Sequence, residues 1–168
     1  MTIPMRRAKQ QLPPEACLEV LERGTSGVLA LNDPESGYPY QVPLSYGYRS
    51  GKLTFHGAKV GHKIDLLHAD CRASFTVIDQ DEVVPEQYTT RYRSVTCTGT
   101  LRLVEDASEM RDELMFMAER FYPGHDDEAT AEIERFIDAC AVLVLELDGV
   151  VGKENTELAQ MRREGRLS

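Results

Sequence analysis

From Ser94 to Leu103 the chain alternates without a break, with Val95, Cys97, Gly99, Leu101 and Leu103 on one side and Ser94, Thr96, Thr98, Thr100 and Arg102 on the other. A period of two over that length is a strand with one buried and one solvated face, and it commits the chain to a sheet. Shorter apolar runs surround it, each closed by turn formers. SGVLAL at 26–31 stops at Asn32-Asp33-Pro34-Glu35-Ser36-Gly37, and 38–48 runs through Arg49-Ser50-Gly51 into KLTFH, so the pattern is strand, tight turn, strand. CRASFTVID returns to the same alternation, and CAVLVLELDG at 140–149 reads as a final apolar strand.

Helical spacing is confined to a few segments. Pro13-Pro14 ahead of EACLEVLER, with Gly24 behind it, carries proline at the start and glycine past the end of a helix. HKIDLLHAD at 62–70 follows a loop with glycine at both ends. SEMRDELMFMAERFY and EATAEIERFIDA are acidic amphipathic helices split at Pro123-Gly124, with Ser108 as the expected N-cap and the methionine stripe as core. The acidic faces are expected to be solvated, and QDEVVPEQYTTR at 80–91 to be a long polar loop. The expected fold is mainly β with flanking helices, a six-stranded antiparallel barrel in one domain over 1–168, with a polar tail at 155–168. Parallel βαβ winding is disfavoured, and no GxGxxG, GxxxxGK[ST] or GxSxG occurs.

Charge narrows the function. The chain carries 28 Asp+Glu against 19 Lys+Arg, yet the stretch from Ser36 to Ile64 has no acid at all while holding Arg49, Lys52, Lys59, Lys63, His56 and His62. A second acid-free stretch, Gln87 to Val104, contains Arg91, Arg93 and Arg102, and the compensating acids crowd into Glu105–Asp138. A pI near 5.0 argues against nucleic acid, whereas a phosphorylated small molecule needs only one local positive pocket. No apolar run spans a bilayer and the first residues lack a signal peptide's apolar core, so a cytoplasmic protein is expected. Cys17, Cys71, Cys97 and Cys140 form no CxxC pair, and no metal site is expected.

Two segments could carry chemistry. In FHGAKVGHKID, residues 55–65, a strand ends in a loop whose Gly57 and Gly61 permit close backbone approach, and a helix opens at once with His62 and Lys63 in its first turn. Free N–H groups, the positive end of the helix and a lysine on one spot meet the requirement for holding a phosphate. In PYQVPLSYGY, residues 39–48, Pro43 cannot join a ladder, so an edge or bulge there leaves backbone groups of Leu44 and Ser45 turned toward a flat polar ligand.

MRRAKQ, GVLAL, YPYQVPLSY, FHGAKVGHKIDLL, YRSVTCTG and GVVGKENTEL, in that order and spacing, resemble the flavin-nucleotide-binding proteins of the pyridoxamine 5′-phosphate oxidase superfamily, in the branch with the nitroimidazole-resistance reductases. The resemblance implies an FMN-binding split β-barrel that forms a homodimer, with each cofactor site made by both subunits. It implies that Pro43, Leu44, Ser45 and Tyr46 line the isoalloxazine through backbone contacts. Phe55, His56, Gly57, Ala58, Lys59, His62 and Lys63 would surround the ribityl phosphate, Ser94 and Val95 would complete the pocket, and Arg91, Arg93 and Lys153 are more distant candidates. Activity would be flavin-dependent reduction of a small molecule such as a nitroaromatic, with NAD(P)H as the donor to test and His62 as the one candidate proton donor. The absence of a clamp for a second phosphorylated ligand argues against vitamin B6 oxidation. The alternative is a non-catalytic protein that stores or senses flavin or haem, for which His56, His62 or His68 would supply an axial ligand.

Overall fold

The computed structural model describes residues 5–166. After a single 3₁₀ turn at Ala8–Gln10, the elements are α1 (Pro14–Arg23), β1 (Ser26–Leu31), β2 (Tyr40–Ser45), β3 (Gly47–Arg49), β4 (Lys52–Ala58), α2 (His62–Ala69), β5 (Arg72–Val84), β6 (Thr89–Leu103), α3 (Ala107–Phe121), α4 (Asp126–Phe136), β7 (Cys140–Glu154) and α5 (Thr156–Arg163). The strands form one sheet in the order β2-β1-β5-β6-β7-β4-β3, with each ladder antiparallel.

That order closes the sheet. β2 and β3 lie at its opposite ends, yet a single residue, Tyr46, joins them, so the sheet must curl until its two edges meet. Tyr46 holds the junction. Its side chain is fully buried, its hydroxyl donates to Leu21 O in α1 at 2.9 Å, and its ring meets Phe75 edge-on at 5.1 Å between centroids. Burial pushes its phenol pKa up. The core inside the curl is built from the inward residues of every long strand, among them Leu29, Phe55, Phe75, Val95, Leu101 and Leu143.

Seven strands replace the expected six, because 38–48 is not one strand. Tyr46 turns inward, and the chain leaves one sheet edge for the other. The polar segment 80–91 is no loop either. β5 and β6 continue through it as a hairpin with register down to Val84↔Thr89, around a 3₁₀ turn at Pro85–Gln87. Both faces there are largely exposed, which removes the alternation that marks a strand. β7 bulges at Asp148, opposite Thr98 and Gly99 of β6, and a Cβ at Gly99 would sit 2.0 Å from Glu146 O, so only glycine fits there. β7 runs on to Glu154, past the expected end at 149, and the tail forms α5, capped by Asn155 onto Leu158 N–H at 2.9 Å.

The helical pair departs from expectation twice. The N-cap of α3 is Asp106, whose carboxylate accepts from Glu109 N–H at 2.8 Å, and Ser108 lies inside the first turn. The acidic faces are mostly solvated, but Glu113 is buried, accepting from Thr54 Oγ1 at 2.5 Å and Arg49 Nη2 at 2.9 Å while Arg49 stacks on Phe116. Met110 and Met117 are core. Among the described residues no helix is long and apolar enough to cross a membrane.

Candidate functional site

Curling leaves an opening, because the two edges meet without pairing. β2 pairs only with β1. Tyr46 N–H points inward to Thr25 O at 3.1 Å, and strand alternation therefore turns Ser45 N–H and the carbonyls of Pro43 and Ser45 outward. On the opposite edge, β3 covers β4 only along Lys52–Thr54, so Phe55–Ala58 have a ladder partner on the β7 side alone. Pro43, Ser45, His56 and Ala58 are exposed, Leu44 and Gly57 half-buried. Both segments singled out from the sequence thus flank the one split in the sheet.

Ser45 and His56 line the same cleft, about 370 Å³, whose far wall is Leu114, Met117, Ala118 and Phe121 from α3 and Ile133 from α4. A second hollow of about 310 Å³ continues past His56 to Phe136, Ile137 and Cys140. This apolar wall was not anticipated. The signal was a stripe on the helical pair longer than burial requires: Phe121 and Phe136 remain 44% and 45% exposed.

Beyond β4 the loop 58–61 leads into α2. Gly61 has φ +128°, a conformation for glycine, and no side chain caps the helix; the first amide bonded back to Gly61 O is that of Ile64, at 2.8 Å. The N–H groups of His62 and Lys63 have no partner among the described residues. Lys63 curls back over the loop, so that a Cβ at Gly57 would lie 3.3 Å from its Nζ. Glycine at 57 keeps the ammonium against the backbone at the end of β4.

α2 is clamped at both ends by consecutive residues of the turn after β1. Asn32 Nδ2 donates to Asp70 Oδ2 at 2.8 Å, and Asp33 Oδ2 bonds His62 Nε2 at 2.8 Å. Ser36 N–H and His62 hold the Asp33 carboxyl at about 2, and Arg72 with Asn32 holds Asp70 well below its ordinary value. An ionised Asp33 keeps a proton on Nε2, leaving Nδ1 as the ring atom free to act. Tyr40 packs edge-on against the same ring, at 5.0 Å. Neither partner was named from sequence: Asp33 lies just outside the acid-free stretch.

The other expected residues divide sharply. Tyr46, Phe55 and Val95 have 0% exposure, so their side chains serve the core. Val95 is laddered on both sides, to Val77 and Gly152, which leaves its backbone nothing to offer a ligand. Ser94 is half-buried between Ile78 and Lys153. Lys59 is exposed at the loop. Arg91 is committed to Glu157 at 2.9 Å, and Arg93 to Glu154 and Asp79 at 3.3 and 3.4 Å. Burial raises the Cys97 thiol to about 12, which makes it inert. The described residues contain no cluster of side chains fit for a metal ion.

Residues 13–154 match the family model for pyridoxamine 5′-phosphate oxidase. No curated protein matches the chain by sequence. Among solved structures it is similar to a candidate 5-nitroimidazole antibiotic resistance protein of Bacteroides thetaiotaomicron, at 21% identity and TM-score 0.71, with 86% of each chain covered. It is similar to a flavocytochrome of Azotobacter vinelandii at 20% and 0.75, covering 92% of this chain and 73% of that one. A FAD- and haem-binding protein of Mycobacterium smegmatis aligns at 25% and 0.72, covering 88% and 73%. The shared architecture is the split β-barrel.

Proposed function

Because the chain belongs to the pyridoxamine 5′-phosphate oxidase family, we propose that it binds FMN along the split of its barrel and uses it to reduce a small molecule. The observation that carries this is the cradle at 57–63, where Lys63 Nζ lies against Gly57 and α2 opens on two uncapped amides. That donor set suits a phosphate dianion. The split offers the flat part of the cofactor outward backbone groups of Pro43 and Ser45 on one edge and an apolar wall on the helical side. The residues therefore fit the group.

When bound, flavin supplies hydride or electron transfer to the substrate. The protein's part is positional. Lys63 and the α2 amides fix the phosphate, the β2 edge orients the ring system, and Leu114, Met117 and Ile133 exclude water. His62, held through Nε2–H by Asp33, would pass a proton from Nδ1 to a reduced nitro or carbonyl oxygen when the ring is the imidazolium, and return to the Nε2–H tautomer. The reading includes NAD(P)H as reductant and a homodimer whose second subunit completes each site and buries apolar side chains such as Ile78, 66% exposed.

The deciding experiment is the visible spectrum of the purified protein with added FMN, before and after anaerobic NADPH. A flavin spectrum that bleaches supports the reductase, and no uptake of FMN overturns the proposal. One observation favours a second reading, haem binding without turnover: His56 faces an apolar cleft, as an axial ligand would. A Soret band after haem addition, lost in His56→Ala, would replace the flavin reading.

A further inference from the structure

Most cations of this protein are paired with carboxylates, and the exceptions cluster. Among the described residues, Arg6, Arg7, Lys9, Lys59, Lys63, Arg120, Lys153 and Arg163 have no carboxylate within salt-bridge distance. Lys59 and Lys63 belong to the loop already described. Arg6, Arg7, Lys9 and Arg163 line a single hollow of about 420 Å³ together with Ala8, Gln10 and Thr156. In a chain of net charge −9, four unpaired cations around one concavity with no acid in its lining are held apart against the field that would otherwise recruit a carboxylate.

The hollow is built from fixed parts. The 3₁₀ turn lies along α5, with Gln10 Nε2 donating to Thr156 Oγ1 at 2.8 Å at one end and Arg163 Nη1 donating to Lys9 O at 3.1 Å at the other. Gln10 is only 6% exposed, and its Oε1 has no partner. Turning the amide over lets Thr156 donate to the oxygen and leaves the NH₂ unpaired instead, so either orientation leaves one buried polar atom over. Thr156 and Arg163 stand seven residues apart, about 10 Å along the helix, which is room for more than one phosphoryl group.

We infer that this hollow is a second anion site, for a small molecule carrying two or more phosphoryl groups, such as a nucleoside diphosphate. Arg6, Arg7, Lys9 and Arg163 supply charge, and Arg163 is pre-oriented by its bond to Lys9 O. A bound ligand adjoins the barrel, since Gln11 bridges Lys153, whose partner across the ladder is Ser94. Long polyanions are disfavoured by the acidic helical pair and the small footprint. The site is separate from the 57–63 cradle, and its occupation does not depend on flavin.

The test is calorimetric titration of the full-length protein with ADP and with inorganic pyrophosphate, in excess FMN so that the cradle is competed for. Saturable binding is expected, weakened about tenfold or more both in Arg6→Gln/Arg7→Gln and in Arg163→Gln, which alter different elements, and unchanged in Lys63→Ala. Wild-type affinity in both basic-site variants, or loss in Lys63→Ala alone, would overturn the assignment, as would the absence of any binding. Tighter binding of a single-stranded oligonucleotide or of anionic phospholipid vesicles, lost in the same variants, would give the hollow to a polyanion and end the small-ligand proposal.

Discussion

The two acid-free stretches look alike as sequence and part company in the fold at one loop. Residues 87–104 draw in carboxylates from elsewhere: Arg91 takes Glu157 and Glu82, Arg93 takes Glu154 and Asp79, and Arg102 takes Glu109 and Glu146. With Arg162 on Glu154 and Arg23 on Asp79, the two Arg93 pairs complete an alternating chain of charge from α5 across three strands to α1. Residues 36–64 also pair Arg49 with Glu113 and Lys52 with Glu146, but at the loop they leave Lys59 and Lys63 unpaired, close to Gly57 and the uncapped start of α2. A run without acids therefore leaves cations unpaired only where the strand register delivers no carboxylate to it. In β6, the pairing of Arg93 with Glu154 and the bulge at Ile78/Gln80, which leaves Asp79 as the extra residue, deliver two.

The contrast can be broken by mutation, starting with its structural half. Arg93→Leu leaves Glu154, with 0% exposure, holding only Arg162, and should cost about 3 kcal/mol in chemical denaturation, the low end for a broken buried pair. Flavin affinity should follow only the loss of fold. Lys63→Ala should do the reverse, weakening FMN by about tenfold or more, roughly 1.4 kcal/mol, with the melting temperature unmoved. Equal affinity in a flavin titration would detach the loop from any phosphate. Gly57→Ala, whose Cβ would press on Lys63 Nζ from 3.3 Å, should weaken FMN about threefold by displacing the ammonium.

Acid should touch the cradle late. The folded pKa of Asp33 is lowered from 3.8 to about 2, so its contribution is complete above pH 4 and is lost as pH falls through about 2. Stability curves of the wild type and Asp33→Asn should differ throughout neutral pH and converge below pH 2. A constant gap down to that point would mean the carboxylate's charge is irrelevant. Smallest of all is Arg91→Ala, whose pairs are open to solvent and should be worth under about 1 kcal/mol.

Much of this architecture could be read from residue order. β1, α1 and the alternating part of β6 stand where periodicity and punctuation put them, because each has one wet and one dry face. The hairpin end of β5 and β6 escaped because both of its faces are mostly wet. β3 escaped because a one-residue crossing between sheet edges has no local pattern; Tyr46 looks like any other aromatic in a strand. At the site, glycine spacing and missing acids exposed the cradle. Asp33 and the α3–α4 wall come from distant segments, and only closure of the sheet brings them near. Tyr46, Phe55 and Val95 share motifs with more exposed neighbours, and strand alternation sends their side chains the other way.

The one-residue joint at Tyr46 also bears on the order of folding events. β1–β2 and β3–β4 are short-range pairings available early, but the long ladder of β4 is with β7, where Phe55 meets Leu143. Until that distant strand docks, β4 is not held in the sheet and the two edges have no reason to face each other. Contacts of such separation form slowly. The split between β2 and β4 is therefore expected to form late on the folding pathway, and a ligand that needs both of its edges can bind only after β7 has closed the barrel.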